Sequence, residues 1–516
     1  MRRNLNFLMS DLYISTQKHT YSDFSSSLRD SIVVRLTDEA KGSIIQSHVN
    51  LCSILDAGTP VYGVTTGFGK MSHLKINPED QLKLQLNLVR SHAAGVGSPV
   101  DKGIVRTMMI LKLLTFAKGY SGVRLDVANQ ILEFLKYDII PIIPEKGSVG
   151  ASGDLAPLAH MAMSLIGEGE VFYKEEITAT KGLLKSKGIN PIVLQPKEGL
   201  SLINGTQYST AIAISVLNKS RLLLQSADVI GALSVESSLS SRNVFNPKIH
   251  SLKQHPGQKE TAQTIWNILK DSEIVVSHKD CGKIQDPYSF RCIPHVHGAS
   301  KDMIDLASNI INNEINSVSD NPLIFSGDEI HSSGHFHGEY VAQAMDTVGV
   351  ALSEIGAISQ KRIHYFMKGI GEKIPLFLAL NPGLESGYMM AQVTAAALAS
   401  ENKTLSHPAS VDSLTTSAGQ EDFVSMAPWA GQKTLQIADN TATILAIELM
   451  VSATASQVFL KGSKPSPIGI KTYNKLNKHI NFEGGDRRLD KEIKTTKNLI
   501  ISGELFKSVN DGNNLK

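Results

Sequence analysis

From Val341 onward, the apolar residues Val341, Met345, Val348, Leu352 and Ile355 recur at alternating spacings of four and three. That period is one face of an α-helix. From Trp429 to Ser463 the chain has no proline, and Leu435, Ala438, Ile444 and Ile447 lie in a nearly continuous apolar run broken by small residues. Ala391 to Glu401 (AQVTAAALASE) is helical by propensity alone. Strand patterning is sparse. Glu170 to Thr178 (EVFYKEEIT) alternates and predicts a hairpin arm. Pro141 and Pro144 in YDIIPIIPEKG predict an extended approach to a glycine-rich loop. The expected fold is mainly α, a bundle of long antiparallel helices. Small residues permit close helix approach, and helices apolar on more than one side predict burial against other subunits.

Composition narrows the class. The chain has 516 residues, 42% hydrophobic and 19% charged, enough for a large core. Its 51 basic and 49 acidic residues leave a formal charge of +2. That balance carries no electrostatic footprint for nucleic acid or an anionic membrane. Cys52, Cys281 and Cys292 form no C-x-x-C pair and are too few for a disulfide framework. A reducing compartment follows as an expectation. The N-terminal MRRNLNFLMSDLYIS has a short apolar run and no small-residue cleavage site, so it does not read as a signal peptide. No stretch offers about 18 uninterrupted apolar residues, so no membrane span is expected. The expectation is a soluble, cytoplasmic protein.

The densest cluster of small residues is KGSVGASGDLAPLAH, Lys146 to His160, with glycines at Gly147, Gly150 and Gly153. A phosphate-binding loop would need Lys after the last glycine, and Asp154 stands there. A dinucleotide fingerprint would need another glycine spacing, and a nucleophile elbow would need a glycine at Asp154. Two readings remain. The loop is a tight turn capping a helix that starts near Asp154. Alternatively its backbone reacts: the Gly153 nitrogen attacks the Ala151 carbonyl carbon, closing a five-membered ring, and glycine leaves that approach open. Loss of water from the ring and of the Ser152 hydroxyl would leave an electrophilic methylene on an imidazolone.

GSVGASGDLAPLAH resembles the signature of the aromatic amino acid ammonia-lyases. The resemblance runs from about Val34 to Leu505 and recurs in VYGVTTGFGKM, NLVRSHAAGVG, EGLSLINGTQ, QDPYSFRC, SVSDNPL, FHGEYVAQAMD, SGYMMAQVTAAALASENKTLSHP and VDSLTTSAGQEDFVSMAP. It implies a 4-methylidene-imidazol-5-one (MIO) formed from Ala151, Ser152 and Gly153, with no metal, pyridoxal phosphate or nicotinamide. It also implies a carbon–nitrogen lyase in which Tyr62 removes the substrate β-proton while the electrophile makes the amine a leaving group. Arg291 would fork onto the substrate carboxylate. Tyr288 and Gln285 would hydrogen-bond around cofactor and substrate, Asn204 would hold the imidazolone oxygen or the carboxylate, and Phe336 would pack beside the cofactor. Asp154 would cap the next helix or assist cyclisation. Each residue also has a plainer reading: a loop aromatic for Tyr62, a surface ion pair for Arg291, a turn-satisfied amide for Asn204, core packing for Phe336. The implied division is an N-terminal region, 1–200, carrying the loop, and a helical bundle, 201–516, in one continuous catalytic unit. The implied assembly is a homotetramer with shared active sites.

The family splits by substrate. His92 in the Ser91-His92 pair, Met389, Glu421, the NGTQ at Asn204 to Gln207 and the tail DRRLDKEIKTTKNLIISGEL resemble the histidine type. A carboxylate can accept an imidazole N–H and has less reason to face a bare phenyl ring. The expected reaction is elimination of ammonia from L-histidine to give trans-urocanate, the first step of histidine degradation. A tyrosine or other aromatic lyase, or an aminomutase, is the alternative. Gly419, Phe423, His335, His295 and Lys70 depart from the histidine-type pattern. The histidine-rich spots, His295 with His297 and His331 with His335 and His337, predict no metal site, because ligation needs spatial convergence with other ligands. The loop motif of fumarase-type helical lyases is absent from the sequence. A non-catalytic relative is disfavoured by the presence of Ser152, Tyr62 and Arg291.

Overall fold

The computed structural model describes residues 11–279, 282–327 and 329–510; Cys281 lies outside them. Cys52 and Cys292 are both free thiols. The protein is mainly helical, with short strands in four small sheets among the described residues. It divides into two compact units: residues 1–215, 308–345 and 408–432, and residues 216–307, 346–407 and 433–516.

In the first unit the central helix is Lys102–Ala117, buried from Gly103 to Ala117. Helices Asp38–Asp56, Gln81–His92, Leu125–Lys136, Leu155–Leu165 and Glu198–Ile203 accompany it. The Thr37 hydroxyl accepts from Ala40 N and caps Asp38–Asp56, whose first turn carries Asp38 and Glu39. The alternating EVFYKEEIT stretch holds both arms of a hairpin. Glu170–Tyr173 pairs antiparallel with Glu176–Ala179, and Lys174 and Glu175 turn with φ of 50° and 70°. The proline-interrupted approach is extended: Ile140–Pro141 pairs with Glu170–Tyr173, and Pro144–Lys146 pairs with Val96–Pro99.

Asp154 departs from the expected capping role. It occupies the N-cap position of Leu155–Leu165 but makes no side-chain cap bond. Its Oδ2 accepts instead from Ser209 N at 2.8 Å and Ser209 Oγ at 3.0 Å. Burial pushes its carboxyl up to about 7, against the pull of these bonds. Nearby in the same unit, the buried Lys197 ammonium lies 3.5 Å from Asp320 and donates to Ser201 Oγ at 2.7 Å.

The second unit contains the latter part of the apolar stripe read from the sequence. Val348, Leu352 and Ile355 of helix Glu339–Met367 are fully buried, as are Val341 and Met345, which belong to the first unit. A Cβ on Gly349 would lie 3.1 Å from Thr434 Oγ1, and one on Gly356 would lie 3.2 Å from Ile444 Cδ1. Small residues thus let this helix approach Ala427–Thr454 closely. Charges are buried here in pairs. The Arg362 guanidinium forks onto Glu448 at 2.5 and 2.9 Å, both side chains fully buried, and Ser234 Oγ donates to the same carboxylate at 2.5 Å. Asp228 accepts from His297 at 2.8 Å and Lys301 at 2.7 Å.

Two long apolar helices belong to the interior of the fold. Glu339–Met367 and Ala427–Phe459 are long and apolar enough to cross a bilayer, and 67% and 78% of their most apolar windows are buried inside the protein.

Two outcomes follow. Glu448→Ala leaves the Arg362 charge buried without its partner and should destabilise the chain by about 3–5 kcal/mol, read from urea unfolding by circular dichroism. The Asp154 carboxyl goes from an ordinary value of 3.8 unfolded to about 7 folded. Between those pH values the folded chain holds a proton that the unfolded chain releases. This stabilising contribution is therefore complete below about pH 4 and is lost as pH rises through about 7. Stability of the wild type relative to Asp154→Asn should fall over that window and be flat above it; a difference independent of pH would contradict the buried protonated carboxyl.

Candidate active site

The glycine loop is held from two sides. On one side Met426 N donates to Val149 O at 2.8 Å, and Ser425 Oγ donates to Gly150 O at 3.0 Å. On the other, Asp154 N donates to Gly205 O at 2.8 Å. Gly150 has φ of 68° and Gly153 φ of 74°. A Cβ on Gly153 would stand 2.3 Å from Gly205 O, and one on Gly150 would stand 2.3 Å from Ser425 Oγ. Both glycines are therefore required twice, by conformation and by space.

Ala151 and Ser152 face a cavity of about 1020 Å³ within the first unit. The cavity is also lined by Tyr62, His92, Asn204, Phe336 and Glu421. Seven residues read from the sequence as site residues, distant along the chain, thus meet in one place.

Each is set by local structure. Glu421 follows a tight turn in which Thr416 and Glu421 bridge. Its Oε2 accepts from Thr416 Oγ1 at 2.8 Å and Ser417 Oγ at 2.6 Å, and its Oε1 accepts from Ser152 Oγ at 2.8 Å. His92 ends helix Gln81–His92, and its Nδ1 lies 2.8 Å from Leu88 O, one turn back. A carbonyl can only accept, so Nδ1 carries the proton and Nε2 is left as an acceptor. Tyr62 OH accepts from Gly69 N at 2.8 Å, which sets its oxygen at the cavity wall. Asn204 Nδ2 donates to Asn321 O at 3.2 Å, and its buried Oδ1 has no partner among the described residues.

Gln85, which sequence reading passed over, ties two of these together. Its Nε2 donates to Gly63 O at 2.8 Å beside Tyr62, and its Oε1 accepts from Leu200 N at 3.1 Å in the helix leading to Asn204. The available signal was a glutamine in the LKLQLNL stripe, fully buried in the fold.

The other four candidates lie in the second unit and do not line this cavity. Gln285 and Arg291 line a separate cavity of about 570 Å³. The Arg291 guanidinium lies 4.5 Å from the ring centre of Tyr288, which is 71% exposed. Arg291 Nε is buried with no partner among the described residues, an unmet donor beside an open cavity. Met389 opens helix Met389–Leu405 and is half-buried.

The residues that depart from the histidine-type pattern are also placed. Phe423 lines the first cavity and stacks on His337, ring centres 6.2 Å apart. Lys70 lines it as well. His335 Nδ1 pairs with Ser333 Oγ at 3.0 Å, and His295 Nε2 with Gln258 at 3.4 Å. Among the described residues no cluster of three or more His, Cys, Asp or Glu could hold a metal ion.

Comparison with known proteins shows the family. Residues 20–478 match the family profile described as aromatic amino acid lyase. A histidine ammonia-lyase of Myxococcus xanthus is 43% identical over 482 residues, 93% of this chain and 95% of the relative. One from Idiomarina loihiensis is 45% identical over 474 residues, 92% and 93% of the two chains. Among solved structures, histidine ammonia-lyase from Trypanosoma cruzi superposes with a TM-score of 0.89 at 34% identity, covering 97% of this chain and 95% of that one. Tyrosine aminomutase from Streptomyces globisporus does so with a TM-score of 0.92 at 31% identity, covering 98% and 100%. With a profile match across most of its length and relatives of this identity, the chain belongs to the aromatic amino acid lyase family of carbon–nitrogen lyases.

Proposed function

We propose that the protein is a histidine ammonia-lyase, removing ammonia from L-histidine without oxidation and leaving trans-urocanate. The observation that carries this reading is the single cavity in which Ser152, Tyr62, His92 and Glu421 converge. The named activity of relatives at 43% and 45% identity supports the choice of substrate.

Family membership implies the MIO electrophile, and the loop fits it. Gly153 has no room for a side chain, Ala151 and Ser152 face the cavity, and the segment is clamped on both flanks. On this reading Ala151, Ser152 and Gly153 form the group, which supplies an electrophilic carbon that turns the substrate amine into a leaving group. The chain's own side chains do the rest. The Tyr62 oxygen, aimed by the Gly69 amide, takes the β-proton. His92 Nε2 or the Glu421 carboxylate can accept the single N–H of an imidazole ring. Asn204 and Phe336 line the cavity, and Phe336 supplies an apolar wall.

The substrate carboxylate calls for a cation, and Arg291 has an unmet donor. Because Arg291, Gln285 and Tyr288 do not line the Ser152 cavity, we assign them to completing the site of a neighbouring subunit in a homotetramer. Met389 belongs to the same contribution. The free thiols fit a cytoplasmic enzyme.

A second reading has one observation in its favour. Phe423 stands in the cavity wall beside His337, an aromatic surface that suits a phenyl or phenol ring. The test is a substrate panel. Purified protein incubated separately with L-histidine, L-tyrosine and L-phenylalanine should release ammonia and form urocanate from histidine alone, and Ser152→Ala should abolish both. Preference for tyrosine would reassign His92 and Glu421. Conversion to a β-amino acid without free ammonia would make the protein an aminomutase. In the same assay, Tyr62→Phe should lower kcat by about 10²–10⁴-fold, the scale of a general base, while leaving the melting temperature and the mass of the chain's modification unchanged.

A further inference from the structure

Lys112 lies in the middle of helix Lys102–Ala117, within the apolar run MMILKLLTFA, and is fully buried. Its ammonium group has no carboxylate within ion-pair distance among the described residues. It donates instead to two main-chain carbonyls, Ser201 O at 3.0 Å and Asn204 O at 2.5 Å. These carbonyls lie at the C-terminal end of helix Glu198–Ile203, where a helix leaves its last carbonyls without intrahelical donors and carries its negative pole. Burial pushes the ammonium down to about 7, with the charges of Asp320 and Asp154 pulling the other way. A buried cation without an ion-pair partner is a costly way to fill this space, and an apolar side chain of the same length would fill it at lower desolvation cost.

What the lysine holds explains its presence. Asn204 is a cavity residue, and the next residue, Gly205, is the one on which the loop rests. Gly205 O accepts the Asp154 amide at 2.8 Å, and Gly153 pairs with Gly205 in a parallel bridge. The Gly205 main chain stands 2.3–2.8 Å from the place of a Gly153 Cβ. Lys112 therefore grips, from behind, the segment against which the loop is bent.

We infer that Lys112 is a positioning residue for the self-cyclisation of Ala151, Ser152 and Gly153, holding the Asn204–Gly205 main chain as a fixed support for the bend at Gly153. The inference rests on the cyclisation reading above. Lys197 secures the same helix end independently, through Ser201 Oγ and Asp320, so the helix keeps an anchor when Lys112 is replaced.

The test follows the full chain after cell-free synthesis by intact mass, with thermal melting as the control for folding. The wild type should lose two waters per chain. Lys112→Met, which keeps length and loses every donor, and Lys112→Gln, which keeps one neutral donor group, should fold but melt below the wild type, because the Ser201 and Asn204 carbonyls lose donors. Both should lose water at least about tenfold more slowly, a barrier change of about 1.4 kcal/mol. A role confined to stability would lower melting and leave the dehydration rate of folded chains untouched. Folded variants that lose both waters at the wild-type rate overturn the inference; if the methionine variant does not fold, the glutamine variant decides. A wild type that keeps both waters overturns the cyclisation reading and this inference with it, a result distinguishable from failure of the variants alone.

Discussion

The oxygen of Gly205 accepts the amide of Asp154 at 2.8 Å, and a side chain on Gly153 would stand 2.3 Å from that same oxygen. Two stretches of main chain, some fifty residues apart in sequence, are pressed together with nothing between them. Such an approach is open only to glycine, and both partners are glycines. The loop is in turn closed from its far side by Ser425 and Met426. Through these contacts, the bend at Ser152 depends on the INGT turn and on the segment after Glu421.

The buried polar groups of the first unit make sense around that contact. A surface turn would let water satisfy its carbonyls, but here they are sealed, and each needs a donor from the protein. Lys112 serves Ser201 and Asn204, Lys197 serves the Ser201 hydroxyl, and Gln85 links the Tyr62 loop to Leu200. Asp154 turns away from its own helix to receive Ser209. The result is a hydrogen-bonded frame behind a cavity that His92 and Asn204 help to line.

The Glu421 carboxylate shows how such a frame prepares chemistry. In the uncyclised chain three hydroxyls, from Ser152, Thr416 and Ser417, hold it in one orientation. A carboxylate held in this way needs little reorganisation to meet a ligand, which is the advantage of preorganised electrostatics. Two of its three donors come from its own turn and remain when cyclisation removes the Ser152 hydroxyl, so the turn keeps its aim.

Periodicity and composition determined much of this protein. The helix of Val341 to Ile355, the extended prolines before the loop and the strand pattern at Glu170 all follow from local preference, because side chains repeat with the period of the backbone that carries them. The resemblance of the sequence blocks supplied the candidate residues. Tertiary structure alone decided which of them meet: Tyr62, His92, Ser152, Asn204, Phe336 and Glu421 share a cavity, and Gln285 and Arg291 line another. It also decided that Asp154 serves Ser209 rather than its helix, and that Lys112 and Gln85, a cation and an amide in apolar stripes, bind main chain. Local sequence sets which face a residue takes along its own element; the partner that a buried polar atom finds depends on segments brought together only by packing.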